Sequence, residues 1–268
     1  MEPEPLKLYH YTSAEGLLGI ISSKSIWATT LNYLNDSKEF EYGLDLAAHF
    51  LHSTGLVEGI DLARCLRRGS EVNVCVCSFS REGDQLSQWR GYCPKEGGYS
   101  MGFDFKTLKE ATSSQGFTLA ACIYKHNDQM LLLKPTLEHA LTRYLEILSA
   151  NKERRTATEQ TYAWLLTQLM PIVPLLKHPA FEEEREWRLV SAYIPRNDAR
   201  MRFRAARGIV FPYVAVDLPV EKAGLLKEVI VGPHINPKAA FSSLSWFTVH
   251  QATANWGVIP SQIPFRQL

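Results

Sequence analysis

The chain has 268 residues, 46% hydrophobic and 21% charged, with a formal net charge of +1 and a pI of about 7.7. That length can bury a sizeable core, as one large domain or two small ones. The near-neutral balance excludes a global field drawing the protein to nucleic acid or a membrane surface. 

The opening MEPEPLK has no basic segment followed by an apolar run, so no secretory signal is expected and a cytoplasmic setting is predicted. LYHYT reads as a strand, with Tyr9 and Tyr11 on one side and Leu8, His10 and Thr12 on the other. SAEGLLGIISSKS predicts a short helix behind a Ser13 cap, with Leu17, Leu18, Ile20 and Ile21 as its apolar stripe. SIWATT reads as a strand. NDSKEFEYGLDLAAHFLHS predicts a second helix, capped by Asn35 or Asp36, with Glu39 as a capping-box-like acid. EVNVCVCSFS is a strand whose Cys75 and Cys77 share a face as small reduced core residues. With Cys65, Cys93 and Cys122 they make five cysteines and no C-x-x-C, so no disulfide or zinc framework is expected.

The polar loop REGDQ leads to LSQWRGY, a short helix on which Trp89 and Tyr92 share a face and Ser87, Gln88 and Arg90 interleave. GGYSMGFDF and FTLAACIY read as strands. From Pro135 to about Met170 the spacing turns helical, and Pro171 and Pro174 end the run. The apolar stretch LLTQLMPIVPLL is too short and too broken by proline to span a bilayer. EWRLVSAY, GIVFPYVAVDL, KEVIVGPHI and SWFTVHQA resume strands, with Gly232 and Pro233 making a turn. The expected fold is a single α+β domain over residues 1–268, a mixed β core carrying a helical insertion at 135–178.

Three places ask for chemistry. His10 is either a satisfied buried histidine or a ligand-facing one. Trp89 and Tyr92 either seal the core edge or form a stacking platform for a flat ring. In FEEEREWRLV, Glu184 and Glu186 are two apart and are expected to point one way, with Trp187 and Leu189 pointing the other. Glu182 and Glu183 read as a solvated face, but a carboxylate at Glu186, entering an apolar strand, is costly unless paired or used. His178, alone before a proline, reads as structural. In RNDARMRFRAARG, Arg200, Arg202 and Arg204 share a face opposite Met201 and Phe203. They are either a charged edge strand or a phosphate-binding edge for a substrate. No G-x-G-x-x-G or P-loop pattern occurs.

The order of histidine strand, aromatic helix and glutamate strand resembles the ADP-ribosyltransferase superfamily, in its poly-ADP-ribose polymerase and diphtheria-toxin-like branch. YHYTSAEGLLGIISSKSIWA looks like that branch's first strand, helix and second strand. SFS…LSQWRGY looks like its serine and nicotinamide-stacking aromatic segment. EREWR looks like its glutamate strand, with the E-x-E spacing of the arginine-modifying branch. The motifs YHYTS, YLNDSKEFEYG, SFS…LSQWRGY, EREWRL and VIVGP also resemble a large uncharacterised bacterial family. The resemblance implies NAD as co-substrate, no metal, and transfer of ADP-ribose to a macromolecular acceptor, protein or nucleic acid. It implies Glu186 as the carboxylate that stabilises an oxocarbenium-like state, with Glu184 as its alternate. It implies His10, Tyr11, Thr12, Ser87 and either Trp89 or Tyr92 at the cofactor, with Ser87 orienting Glu186. Arg202 and Arg204 stand as the substrate-binding pair. A toxin or defence role with an antitoxin partner, and no membrane, would follow. NAD hydrolysis, an NAD-dependent RNA 2′-phosphotransferase and a non-catalytic nucleotide-binding or protein-interaction module are the alternatives.

Overall fold

The alternation of KLYHYT is realised as β1 (Lys7–Thr12), which passes through Ser13 into α1 (Ala14–Ser23). Ser13 Oγ accepts from the Gly16 amide at 3.1 Å, taking up one of the orphan donors of the first turn. Lys24, left-handed at φ 51°, ends the helix and delivers β2 (Ser25–Thr30). The computed structural model describes residues 3–33, 37–68, 73–150, 153–206, 208–221, 224–251 and 255–264. The expected caps Asn35 and Asp36 and the side chain of Glu39 lie outside the described residues.

Helices α2 (Ser37–Ser53) and α3 (Val57–Arg67) precede β3 (Cys75–Ser80). Then come α4 (Leu86–Tyr92), β4 (Tyr99–Asp104), α5 (Phe105–Ser113) and β5 (Phe117–Ala121). The helical block consists of α6 (His126–Ser149) and α7 (Arg154–Leu169), followed by short 3-10 turns at Val173–Leu175 and Pro179–Glu184. The C-terminal third supplies β6 (Glu186–Ser191), β7 (Met201–Ala206), β8 (Ile209–Asp217), β9 (Leu226–Val231), α8 (Pro237–His250) and β10 (Gly257–Pro260).

Two expectations are corrected. The helical run begins at His126, so Pro135 lies inside α6 rather than at its start. Proline removes one helical hydrogen bond, and the residue four before it, Leu131, is 73% exposed, so water can serve the freed carbonyl. SWFTVHQA lies mostly within α8, not in a strand. Asn236 caps that helix by accepting from the Ala239 amide, Pro237 opens it, and Ala240 and Leu244 bury one stripe. A helix begun upstream overrides the strand preference of Trp, Phe, Thr and Val.

The fold is α+β: the strands form one ten-stranded mixed sheet with helices on both faces. Its main path runs β10-β9-β4-β1-β3-β2-β8-β7, with β6 and then β5 branching from β3. Only the β9–β10 pair is parallel among the strand pairs described. One face packs α1, α5 and α8 around Leu8, Phe79, Met101 and Phe103. The other packs α2, α3, α6 and α7 around Val74, Val76 and Val190. The inserted helices thus share one core with two helices from the N-terminal half. Among the described residues no helix is long and apolar enough to cross a membrane.

β3 is the hub that makes room for a site. One edge pairs with β6 from Val76 to Ser80. The other edge is divided: Cys75 and Val76 pair with β2, and Ser80 pairs with Tyr9 of β1. Between them the ladder opens.

Candidate functional site

His10 stands at that opening. Its Nδ1 is 3.0 Å from the Ser78 carbonyl oxygen, and its ring lies 5.7 Å from Phe79. A carbonyl only accepts, so Nδ1 carries the proton and Nε2 of the neutral ring is left as an acceptor. Burial pushes the imidazole pKa down, and the Ser78 bond opposes this only in part, so His10 favours the neutral form. The side chain bridges a gap that a backbone ladder bond would otherwise close.

The opening is a cleft of about 60 Å³, room for about four waters. Its lining includes His10, Ser78, Gln88, Tyr92, Glu184 and Glu186, with Tyr9, Tyr11, Phe79 and Ser80 completing the wall. The structure therefore gathers His10, Tyr11, Tyr92, Glu184 and Glu186 from β1, α4, the 3-10 turn before β6 and the start of β6. Ser87 and Thr12 are outside the lining. The serine opposite Glu186 in the ladder is Ser80, whose Oγ donates to the Glu184 carbonyl at 2.9 Å. Trp89 stands behind the cleft. Its indole donates to Asp84 Oδ1 at 2.8 Å and packs edge-on against Tyr11 at 4.7 Å. Gly232, just after β9, admits that ring: a Cβ there would be 2.6 Å from it. Tyr92 is 40% exposed at the rim.

Glu184 and Glu186 reach the cleft by different routes, which corrects the expected E-x-E strand. Glu184 ends the 3-10 turn, Arg185 is left-handed at φ 44°, and Glu186 is the first residue of β6. The two carboxylates nevertheless meet on one ammonium. Lys177 Nζ, fully buried, is 2.6 Å from Oε2 of Glu184 and 2.6 Å from Oε2 of Glu186. Arg188 closes the other side of Glu186, with Nε 2.7 Å from Oε1 and Nη2 2.9 Å from Oε2. Arg188 Nη1 also donates to the Pro174 carbonyl, and the Glu186 amide donates to Tyr124 OH. Burial alone would raise the Glu186 pKa, but Arg188 and Lys177 overcome it and hold the carboxyl at about 2. Two negative and two positive side chains thus balance in one small volume. Tyr92 OH donates to Glu184 Oε2 at 3.2 Å, and Glu184 Oε1 makes no hydrogen bond to a described residue.

Lys177 and Arg188 escaped the sequence reading, whereas Gln88 entered it as a residue interleaved with the aromatic pair. Arg188 had a signal, since E-x-R in a strand puts the acid and the base on one face. Lys177 had none, because it comes from the loop between the 3-10 turns. His178 beside it is structural: its Nδ1 accepts from the Ala180 amide. Gln88, 5% exposed, makes no side-chain hydrogen bond to a described residue and lines the cleft. Cys93 donates its thiol to the Thr12 carbonyl, and burial raises its pKa to about 12, so it offers no thiolate. Among the described residues, no three His, Cys, Asp or Glu side chains are placed to hold a metal ion. Arg202 and Arg204 lie on β7, at one end of the sheet, away from the cleft lining. Arg200 precedes the strand and is paired with Asp198.

The fold and cleft define an α+β protein with a buried two-carboxylate, two-cation cluster at a break in its sheet. Over residues 88–189 the chain is similar to a family described as "Protein of unknown function (DUF2971)". The matched segment contains Gln88, Tyr92, Lys177, Glu184, Glu186 and Arg188, but not the β1 strand with His10. No curated protein and no solved structure matches the chain.

Proposed function

We propose that the cleft takes the nicotinamide-ribose end of NAD and that the protein transfers ADP-ribose to a macromolecular acceptor. The observation that carries this reading is the meeting of His10, Tyr92 and the two glutamates on one cleft from distant parts of the chain. The residues suit that end of the ligand. Tyr92 offers an exposed ring edge and face for a flat heterocycle, and Gln88 an amide with both donor and acceptor. Glu184 presents an oxygen without a described protein partner. Placed beside a ribose, it can stabilise positive charge developing at the anomeric carbon as nicotinamide leaves. Glu186 is committed to Arg188 and Lys177, so its role is to hold Lys177 and through it Glu184. His10 supplies a neutral acceptor at Nε2 for a ribose hydroxyl. Among the described residues no lysine or arginine lines the cleft, so a pyrophosphate would lie on the surface beyond it.

A second reading has its own observation. Both oxygens of Glu186 are neutralised from within the protein, as in an internal ionic tie, and such a cleft can bind without catalysing. The experiment is to incubate the protein with NAD, with and without cell extract, and follow nicotinamide release. Titration calorimetry measures binding in parallel. Release that needs extract supports transfer, and release in buffer alone points to hydrolysis. Binding without release supports the second reading, and absence of binding overturns both.

A further inference from the structure

Away from the cleft, β2, β7 and β8 carry a row of rings joined by an arginine. Trp27 and Tyr213 lie 4.7 Å apart between ring centroids. The Arg204 guanidinium sits 5.4 Å over Trp27 and 5.5 Å over Phe211. Tyr33 meets Phe211 at 6.0 Å. Strand register produces the row. Thr29 and Arg202 both pair with Tyr213, and Arg204 pairs with Phe211, so period two puts Trp27, Phe211, Tyr213 and both arginines on one face. Ile26, Ala28, Val214 and Val216 take the other face into the core.

The row is open to solvent at two of its rings: Trp27 is 44% and Tyr33 43% exposed, while Tyr213 is buried beneath Trp27. Two exposed aromatic rings on one sheet face are more informative than a scattered apolar residue. The arginines differ from others in the chain. Arg154, Arg188 and Arg200 each grip a carboxylate. Among the described residues neither Arg202 nor Arg204 has an acidic partner. Arg204 is held by rings, and among the described residues its one hydrogen bond goes to Thr29 Oγ1 at 3.4 Å, with its buried Nε unpartnered. Among the described residues its charge is therefore oriented and not paired with an acid. Asp217, the one carboxylate of β8, borders the row at its far end beside Ser25.

We propose that this face binds single-stranded nucleic acid, with bases stacking on Trp27 and Tyr33 and phosphates meeting Arg202 and Arg204. Exposed rings require bases that are unpaired, and guanidinium forks match phosphate oxygens. The overall charge of +1 means that the attraction comes from this patch and not from the protein as a whole. The site stands independently of what the cleft does.

The test is fluorescence anisotropy of the intact chain with labelled oligothymidylate and oligouridylate over a range of salt. Binding is expected at low salt, falling with a log–log slope of about −0.7 per phosphate contacted. Trp27→Ala should weaken it about fivefold or more, the effect of one lost stacked base. Arg202→Gln should weaken it and make the slope shallower by about 0.7. Arg202 is exposed, so that variant is expected to melt with the wild type, and melting curves accompany both variants. No binding at low salt overturns the proposal. So does binding unchanged in both folded variants, or tighter binding of a duplex than of either single strand.

Discussion

Arg188 grips Glu186 from two residues further along the same strand, with its guanidinium 2.7 and 2.9 Å from the two carboxylate oxygens. Neighbours at i and i+2 share a face, so β6 builds half of the buried cluster by itself. The other half, Lys177 and Glu184, is brought to it by the turns after α7. The arrangement is balanced, and removing one member leaves an uncompensated charge in an apolar setting.

Glu186→Gln should therefore destabilise the fold by about 3–5 kcal/mol, the usual effect of breaking a buried pair from one side. Denaturant unfolding measures it. A double variant, Glu186→Gln with Arg188→Met, should lose less than the sum of the two single changes, because the residues touch. Additive losses would show that the pair is not coupled.

Acid should reveal the same cluster. The Glu186 carboxyl titrates at about 2 in the folded protein against an ordinary value of 4.5. A depressed carboxylate contributes stability above its unfolded value and loses it as pH falls toward the folded one. Stability should drop between about pH 4.5 and 2, and Glu186→Gln should flatten that slope. His10 adds a second step in the same direction. Its folded pKa lies below 6.5, so the unfolded chain takes up the proton first and stability falls as pH drops below 6.5. Nitrogen NMR of the imidazole should show a neutral ring with the proton on Nδ1 at pH 7.

Gln88 separates a ligand-facing role from a structural one. Its amide has no described protein partner, so Gln88→Leu should change unfolding stability by less than about 1 kcal/mol. If the cleft takes a carboxamide-bearing ligand, the same change should weaken NAD binding about tenfold or more, since buried hydrogen-bonding groups are strong discriminators. Calorimetry and melting together decide it: a stable variant with unchanged binding would remove Gln88 from the site.

Gly232→Ala tests the wall behind the cleft. The new methyl would sit 2.6 Å from the Trp89 ring, which is pinned by its bond to Asp84. Overpacking of this kind costs about 1–3 kcal/mol. Trp89 fluorescence should shift as the ring moves, and Trp89→Leu in the same background should restore part of the loss.

Much of this protein is written locally. Alternation in LYHYT and EWRLV announces strands. Ser13 announces a helix start, and the leucine spacing after residue 135 announces the helical block. These signals rest on side-chain direction within one element, which depends on nearest neighbours in the chain. The strand reading of SWFTVHQA failed because its β-preferring residues continue a helix whose cap and proline lie upstream. The E-x-E reading failed because the left-handed Arg185 stands between the two acids.

Local sequence was enough to say which residues carry apolar faces, which carry charge, and that a carboxylate enters a buried strand at Glu186. What that carboxylate touches depends on how the strands and turns assemble. β3 is shared between β1, β2 and β6, and the ladder opens where β1 leaves it. That opening brings His10 within 3.0 Å of Ser78 across 68 residues of chain. Lys177 comes from a loop with no periodic signal, yet it is buried between two acids because a desolvated charge is tolerable only where opposite charges surround it. The physical reason is general: direction along an element follows from covalent geometry, whereas the pairing of distant charges depends on which strands share an edge.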